Sequence, residues 1–467
     1  MEYTEISAYS VPSGTLTIWS PTAADDHWRD DPRPLSPDHR NHVDGGATGS
    51  WIGSVMRIPH AYDAAAVRRT LAAWVRRHEA LRSTVDPADD GWVRRTVPAG
   101  GVEVFATEVG WMPGAHANAR IADIMASLSP LAWPHCAFVT VVDPDQDGFV
   151  LVMGADHSVM DAYSQALWPA ETVELYRRAA GLDGREWTDQ ELADSPAASH
   201  VDHAATEAEQ AAGLDADSEA VARWREFLGE DLSFPHVPTV ALAEEQRPDL
   251  PQCSLSETLA DETTTDALAR LCKAAGTSLQ YGVLAAMSLA FRRRYGVERL
   301  RYVLPMHTRT SLEHAIAVGW YVGLCPADVD ITGSEDLLTA AGVVHREIAA
   351  QRDLVAHPFP RIAELLQVAS GPRFVVSYID GRFIPGADEW DEWDGQLLRS
   401  PAYSDEEFYL WFSRTDENIR INARYPSSLA AERTMRGLVT DLRAILAEAA
   451  VTDIPGLSDI RREGASA

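Results

Sequence analysis

Apolar positions along this chain recur at two periods, and the alternation of the two predicts a mixed α/β protein. Val67, Leu71, Trp74, Val75 and Leu81 fall near helical spacing behind Asp63, a natural N-cap, so a helix is expected over 63–82. Strand-like runs follow at 92–97 and 102–109, then a helical segment at 121–128, a strand at 136–142 and a turn at 143–148. The apolar run 149–153 leads straight into a polar loop, and 163–180 is again helical. In the second half the pattern predicts helices at 218–228, 264–275, 279–295 and 335–354, and a closing helix at 430–449. Strands are expected near Leu255 and at 300–305, 319–326, 373–380, 407–412 and 419–425. Two stretches break the pattern. Residues 25–44, rich in His, Asp, Arg and Pro, read as irregular or as a flexible loop, and 183–217 is acidic, alanine-rich and poor in large apolar residues. The expected organisation is therefore a first lobe over 1–182, an acidic connection over 183–217 that can hold surface helices, and a second lobe over 218–467. A chain of 467 residues suits two cores better than one.

Composition narrows the classes. Hydrophobic residues at 46% and charged residues at 24% are globular values. The opening MEYTEISAYSVPSG lacks the basic start and apolar core of a signal peptide, and no stretch reaches the roughly 18 apolar residues of a spanning helix, so a soluble cytoplasmic protein is expected. Cys136, Cys253, Cys272 and Cys325 are scattered without ligand spacing, which predicts reduced thiols and neither disulfides nor a metal site. A net charge of −30 opposes nucleic acid and anionic lipid. Against that background 291–301 is conspicuous, with five arginines to one glutamate. Arg292, Arg293 and Arg294 are candidates to meet the phosphates of coenzyme A or a carrier protein, a solvated helix end being the alternative.

The chemistry-bearing candidate lies where the run 149–153 ends and the loop presents His157, with Asp161 four residues on. A neutral imidazole can take a proton from an attacking hydroxyl or amine, because its pKa lies near working pH. The spacing alone is weak: His27 and Asp31 repeat it, and a packed histidine is the competing reading. A strand before the motif and a helix after it distinguish His157. No GxSxG elbow marks a hydrolase. His78 and Glu79 are expected to pack or face the helix surface, Trp390 and Trp393 to pack, cover a lobe interface or line an acceptor site, and Ser377, on an apolar strand, is a candidate to donate a hydrogen bond to an oxyanion.

Several segments together resemble the condensation-domain and chloramphenicol-acetyltransferase-like superfamily. The loop resembles its HHxxxDG motif, residues 74–82 its RHEALR helix end, 318–326 its GYFVNTLP segment, and 301–309 the strand and arginine upstream. Trp133–Pro134 before a strand fits as well. The pattern Trp320-Tyr-Val-Gly-Leu324 and the strand 374–380 resemble the free-standing polyketide-associated (Pap-type) acyltransferases. The resemblance implies two chloramphenicol-acetyltransferase-like lobes in a V-shaped pseudo-dimer with the active site in a tunnel between them. It implies His157 as catalytic base, Asp161 as a structural aspartate paired with Arg309, and Trp320 and Tyr321 at the tunnel. It also implies a coenzyme A or phosphopantetheine thioester as co-substrate, with no covalently bound cofactor, and an alcohol or amine acceptor. The sequence departs at Asp156, where the motif has its first histidine, and at Ala162, where it has glycine; a DFGWG motif is also absent. Those departures support a rival reading, a catalytically silent module that binds a carrier protein or recruits a partner enzyme.

Overall fold

The β-branched and aromatic runs of the sequence collect into two main sheets, which a computed structural model describes for residues 2–46, 49–89, 91–238 and 249–451. The predicted second lobe includes 239–248 and 452–467, which lie outside the described residues. In chain order the strands of the first half are β1 (Tyr3–Thr4), β2 (Gly14–Ala23), β3 (Arg29–Asp31), β4 (Trp51–Ile58), β5 (Ser83–Ala88), β6 (Gly91–Thr96), β7 (Val102–Met112), β8 (Cys136–Val142) and β9 (Phe149–Asp156). Those of the second half are β10 (Cys253–Asp261), β11 (Arg299–His307), β12 (Val322–Asp330), β13 (Phe374–Asp380), β14 (Gln396–Arg399), β15 (Phe408–Arg414) and β16 (Asn418–Tyr425). One sheet runs β1-β14-β4-β9-β8-β2-β7, the second β10-β16-β15-β13-β11-β12, and a small third one β3-β6-β5.

Helices pack on both faces of the first sheet, Ala64–Arg77 and Ala162–Ala179 on one and Gly114–Ala126 on the other. The Ala64–Arg77 helix, capped by Asp63, buries Trp74 edge-to-face against Phe138 of β8 and Trp168 of the Ala162–Ala179 helix, at 5.8 and 6.4 Å. Each such pair contributes about 0.5–1.5 kcal/mol beyond burial, so the helix that follows the candidate loop is seated firmly. In the second lobe Leu279–Tyr295 is apolar on nearly every side and buried to match.

Three expectations change. The stretch 25–44 is ordered: β3 lies within it, and Ser36 caps a Pro37–Asp44 helix by accepting from the His39 N–H at 3.2 Å. Residues 183–217 are more than a connection. Helices Asp189–Ala193 and His200–Ala212 form there, and the second buries His200, Val201, Ala204, Glu207 and Ala211, its alanines allowing close approach and Glu207 pairing with His203 at 3.1 Å. The helix expected over 63–82 ends at Arg77, and Glu79–Arg82 is a 3-10 turn.

The two halves also exchange structure. Strand β14 leaves the second half and pairs between β1 and β4 of the first sheet. With it Ile384, Trp390, Trp393 and Leu397 enter the first lobe's core, so the two tryptophans are packing residues.

Candidate active site

Every residue of β9 is buried, and the strand delivers Asp156 and His157 to the edge where the halves meet. The Asp156 N–H donates to the His135 carbonyl at 2.7 Å and the His157 N–H to the Ser50 carbonyl at 3.0 Å, so the loop leaves the sheet in a fixed direction. After a short 3-10 turn, Asp161 caps the Ala162–Ala179 helix, accepting from the Ser164 N–H at 2.7 Å.

Asp161 is also the bolt between the halves. Arg309, at the end of β11, donates from Nη1 to Oδ2 at 2.7 Å and from Nη2 to Oδ1 at 3.0 Å, with both side chains out of solvent. The Tyr321 N–H adds a bond to Oδ2 at 3.0 Å. Burial alone would raise Asp161, but the Arg309 charge and these hydrogen bonds outweigh it and hold the carboxyl below its usual range. Ser164 extends the seam: its hydroxyl donates to the Gly319 carbonyl and accepts from Arg309 Nη2 and the Gly319 N–H. Gly319 is required by packing, since a Cβ there would stand 2.3 Å from the His200 ring. His200 Nε2 accepts from the Trp320 N–H at 3.1 Å. Burial, with the His203 charge second, holds His200 down at about 3, in keeping with that acceptor role.

His157 sits above this bolt, half-buried, its ring 4.7 Å from the Trp320 ring and its Nδ1 buried without a hydrogen-bond partner. Burial first, and then the charge of His42, lower its pKa. Its own backbone, Asp156 and Asp161 pull the other way and do not offset them. The imidazole is therefore held towards its neutral form.

The two motif departures have structural answers. Asp156 accepts from Ser158 N–H at 2.9 Å and meets His42 Nε2 at 3.0 Å. Burial opposes its charge, but the His42 contacts and the Ser158 bonds keep its carboxyl below the usual range. His42, on the 37–44 helix, was hidden in a stretch expected to be irregular; the Ser36–Pro37 cap signature was the available signal. Its ring also meets Trp320 at 5.8 Å, so it joins the site. Ala162 is the first helical residue and is absent from the positive-φ positions, so the glycine of the motif is not needed. Ala162→Gly is expected to leave turnover within twofold of the parent and to lower stability by about 1 kcal/mol, the helix cost of glycine. Steady-state rates and urea unfolding of the variant check this.

The other candidates separate clearly. Tyr321 is buried against the Arg309 guanidinium at 4.4 Å. Ser377 lies on the face of β13 turned towards the first lobe, its Oγ buried and unpartnered; among the described residues no hydrogen bond joins it to His157. The arginine cluster ends the Leu279–Tyr295 helix, and each of the three side chains has a partner within the protein. Arg292 donates to the Ser334 carbonyl at 2.6 Å, Arg293 pairs with Glu448 at 2.9 Å and Arg294 with Asp441 at 2.8 Å. Their charges complement the C-terminus of the Leu279–Tyr295 helix. His78 pairs with Glu171 at 2.9 Å and Glu79 with Arg33 at 2.9 Å, both packing roles. The second HxxxD match is a surface turn, with His27 exposed and Asp31 bonded to Arg33. Among the described residues no cluster of metal-ligating side chains occurs, and no helix is long and apolar enough to cross a membrane.

Two lobes of sheet and helix, joined by an aspartate–arginine bolt beneath a histidine loop, define the two-lobed chloramphenicol-acetyltransferase-like fold. The model of the condensation-domain family matches residues 41–453, and the chain belongs to that family. Trehalose-2-sulfate acyltransferase PapA2 of Mycobacterium tuberculosis is 26% identical over 423 residues, covering 87% of this chain and 86% of that protein. Among solved structures, a PapA2 acyl transferase superposes with a TM-score of 0.83 at 21% identity, over 96% of this chain and 100% of that one. The first condensation domain of the calcium-dependent antibiotic synthetase gives 0.67 at 16% identity, over 90% and 96%. The chain is an acyltransferase of the condensation-domain type.

Proposed function

We propose that the enzyme moves an acyl group from a thioester, of coenzyme A or of carrier-bound phosphopantetheine, to a hydroxyl of a small acceptor, with an amine as the second choice. The observation that carries this reading is His157. It is a neutral, half-buried imidazole with no competing side-chain hydrogen bond, presented at the seam of the lobes by a loop locked through Asp161 and Arg309. His157 takes the acceptor's proton as its oxygen attacks the thioester carbonyl carbon. The tetrahedral intermediate collapses by breaking the C–S bond, and the imidazolium returns the proton to the departing thiolate. A closed path between the lobes would favour transfer over hydrolysis by excluding water.

No acyl-enzyme is needed. Burial pushes the thiols of Cys136 and Cys325 up to about 12 and that of Cys272 to about 11, which leaves little nucleophilic thiolate. A hydroxyl acceptor is supported by the relative named for trehalose-2-sulfate, a sugar derivative, and lipid or natural-product biosynthesis is the corresponding setting. The silent-module reading rested on Asp156 and Ala162; the His42 partnership and the helical start at Ala162 remove that support.

The reading is tested by incubating the full chain with acyl thioesters and a panel of alcohols and amines, following free thiol and acylated product together. Equal yields of the two are expected; thiol released without product would make the enzyme a thioesterase instead. The pH profile adds a sign. Because catalysis needs neutral His157 and its pKa is lowered, the acid limb of kcat/KM is expected below pH 6.5. A limb centred at or above 6.5 would contradict the assignment.

A further inference from the structure

One face of the second sheet packs on the Leu279–Tyr295, Leu337–Gln351 and Leu429–Val451 helices; the other is covered at β11 and β12 by the Glu219–Leu228 and Phe359–Leu366 helices and is polar and aromatic over β10, β16 and β15. Strand register places Ser254, Arg424, Tyr409 and Val375 side by side on that second face. The next row is Ser256, Asn422, Trp411 and Ser377. Tyr409 and Trp411 stack at 5.7 Å and, like Arg424 and Ser377, are half-buried.

Two arginines stand over this shelf, and among the described residues neither is hydrogen-bonded or ion-paired to a carboxylate. Arg424 lies 4.6 Å from the Tyr409 ring and 6.0 Å from the Trp411 ring, and among the described residues its guanidinium makes no hydrogen bond or ion pair, Nε being buried. Arg399, 2% exposed, reaches in from β14 to 5.1 Å from Trp411. It donates to the Tyr3 carbonyl at 2.9 Å and to Ser254 Oγ at 2.7 Å, and its Nε too is buried and unpartnered. The acids nearby are Glu5, which meets Ser254 at 3.2 Å, and Glu407, whose carboxyl burial raises although Arg424 and Arg373 oppose this. A chain with 70 acidic and 40 basic side chains has carboxylates to spare, and Arg223, Arg294 and Arg309 each have one. Burying a guanidinium without a directly paired carboxylate is costly. Among the described residues Glu5 reaches Arg399 only through Ser254, and Glu407 acts on Arg424 without a hydrogen bond, so both arginines keep donor capacity for an anion.

The shelf is close to the proposed chemistry. Arg399 pairs with Ile52 of β4, and Ile52 with Ala155 of β9, two residues before His157. Two strand spacings put the backbones of Arg399 and Ala155 about 10 Å apart.

We propose that Arg424 and Arg399, above the Tyr409–Trp411 shelf, bind an oxyanion (phosphate, sulfate or carboxylate) carried by one of the two co-substrates. Only its assignment to a co-substrate rests on the acyl-transfer reading; the binding site does not. The orphaned Ser377 hydroxyl offers a further donor beside Trp411 for the polar remainder of the ligand.

The test is a thermal-shift titration of the full chain with sodium sulfate and sodium phosphate, against sodium chloride at matched ionic strength. A saturable stabilisation by the oxyanions beyond chloride is expected. Arg424→Gln, which strands no bonded partner, should weaken it at least tenfold. Arg424→Lys should be intermediate, and Arg443→Gln, whose parent residue pairs with Glu257 at 2.6 Å away from the shelf, should retain it. Competition then names the source: displacement of sulfate by coenzyme A assigns the donor, and displacement by a sugar sulfate or sugar phosphate assigns the acceptor. Wild type indistinguishable from the chloride control, or Arg424→Gln binding as tightly as wild type, overturns the proposal. Either result stands whether or not the chain turns over a thioester.

Discussion

Arg309→Ala should unfold at a markedly lower denaturant concentration than the parent and should lose acyl transfer with it. The change leaves the Asp161 carboxylate fully buried, retaining the N–H bonds of Ser164 and Tyr321 but no counter-charge. Breaking a buried ion pair by removing one partner costs about 3–5 kcal/mol, well above the value of a surface pair, because the remaining charge stays out of water. The same guanidinium also holds Ser164 Oγ at 2.8 Å and packs on Tyr321 and Tyr163 at 4.4 and 4.8 Å, so the loss spreads along the seam. Arg309→Lys keeps the charge and gives up the two-pronged geometry, and an intermediate loss is expected. Urea unfolding of the three proteins measures this. If Arg309→Ala unfolds with the parent and turns over normally, Asp161 and Arg309 are not the bolt that orients the loop.

Sequence patterns located the elements whose cause is local. The bounds of β8 and of the Leu279–Tyr295 helix follow from uninterrupted apolar runs, and the loop carrying His157 and Asp161 follows from a strand that stops and a helix that starts. What the sequence did not disclose is set by distant partners. Strand β14 is only four residues long and exists because it fills a gap between β1 and β4, strands remote from it in the chain. Its neighbours Trp390 and Trp393 look like an acidic loop until that core receives them. The 37–44 helix is polar, so no periodicity announced it, and His42 was missed with it. Gly319, Ser164 and His200 matter through bonds between the halves, which a one-dimensional pattern cannot pair. The arginine run at 292–294 left a binding patch and a helix end both open in the sequence, and the contacts with Ser334, Glu448 and Asp441 are those of a helix end.

His157→Ala carries the other large expectation. Among the described residues the ring makes no side-chain hydrogen bond, and it packs on Trp320, so its removal should leave the fold intact. Loss of a positioned general base lowers rate by about 10²–10⁴-fold, and the acceptor would then have to lose its proton to water. Asp156 and Asp161 cannot substitute, since each carboxylate is buried and committed to its own partner, His42 in one case and Arg309 in the other. The decisive measurement is the rate of acylated-product formation by wild type and His157→Ala on one productive thioester–alcohol pair, with unfolding curves recorded in parallel. A fall of about 10²-fold or more at unchanged stability is the predicted result; turnover that survives in a folded His157→Ala protein would contradict the assignment of His157 as the base.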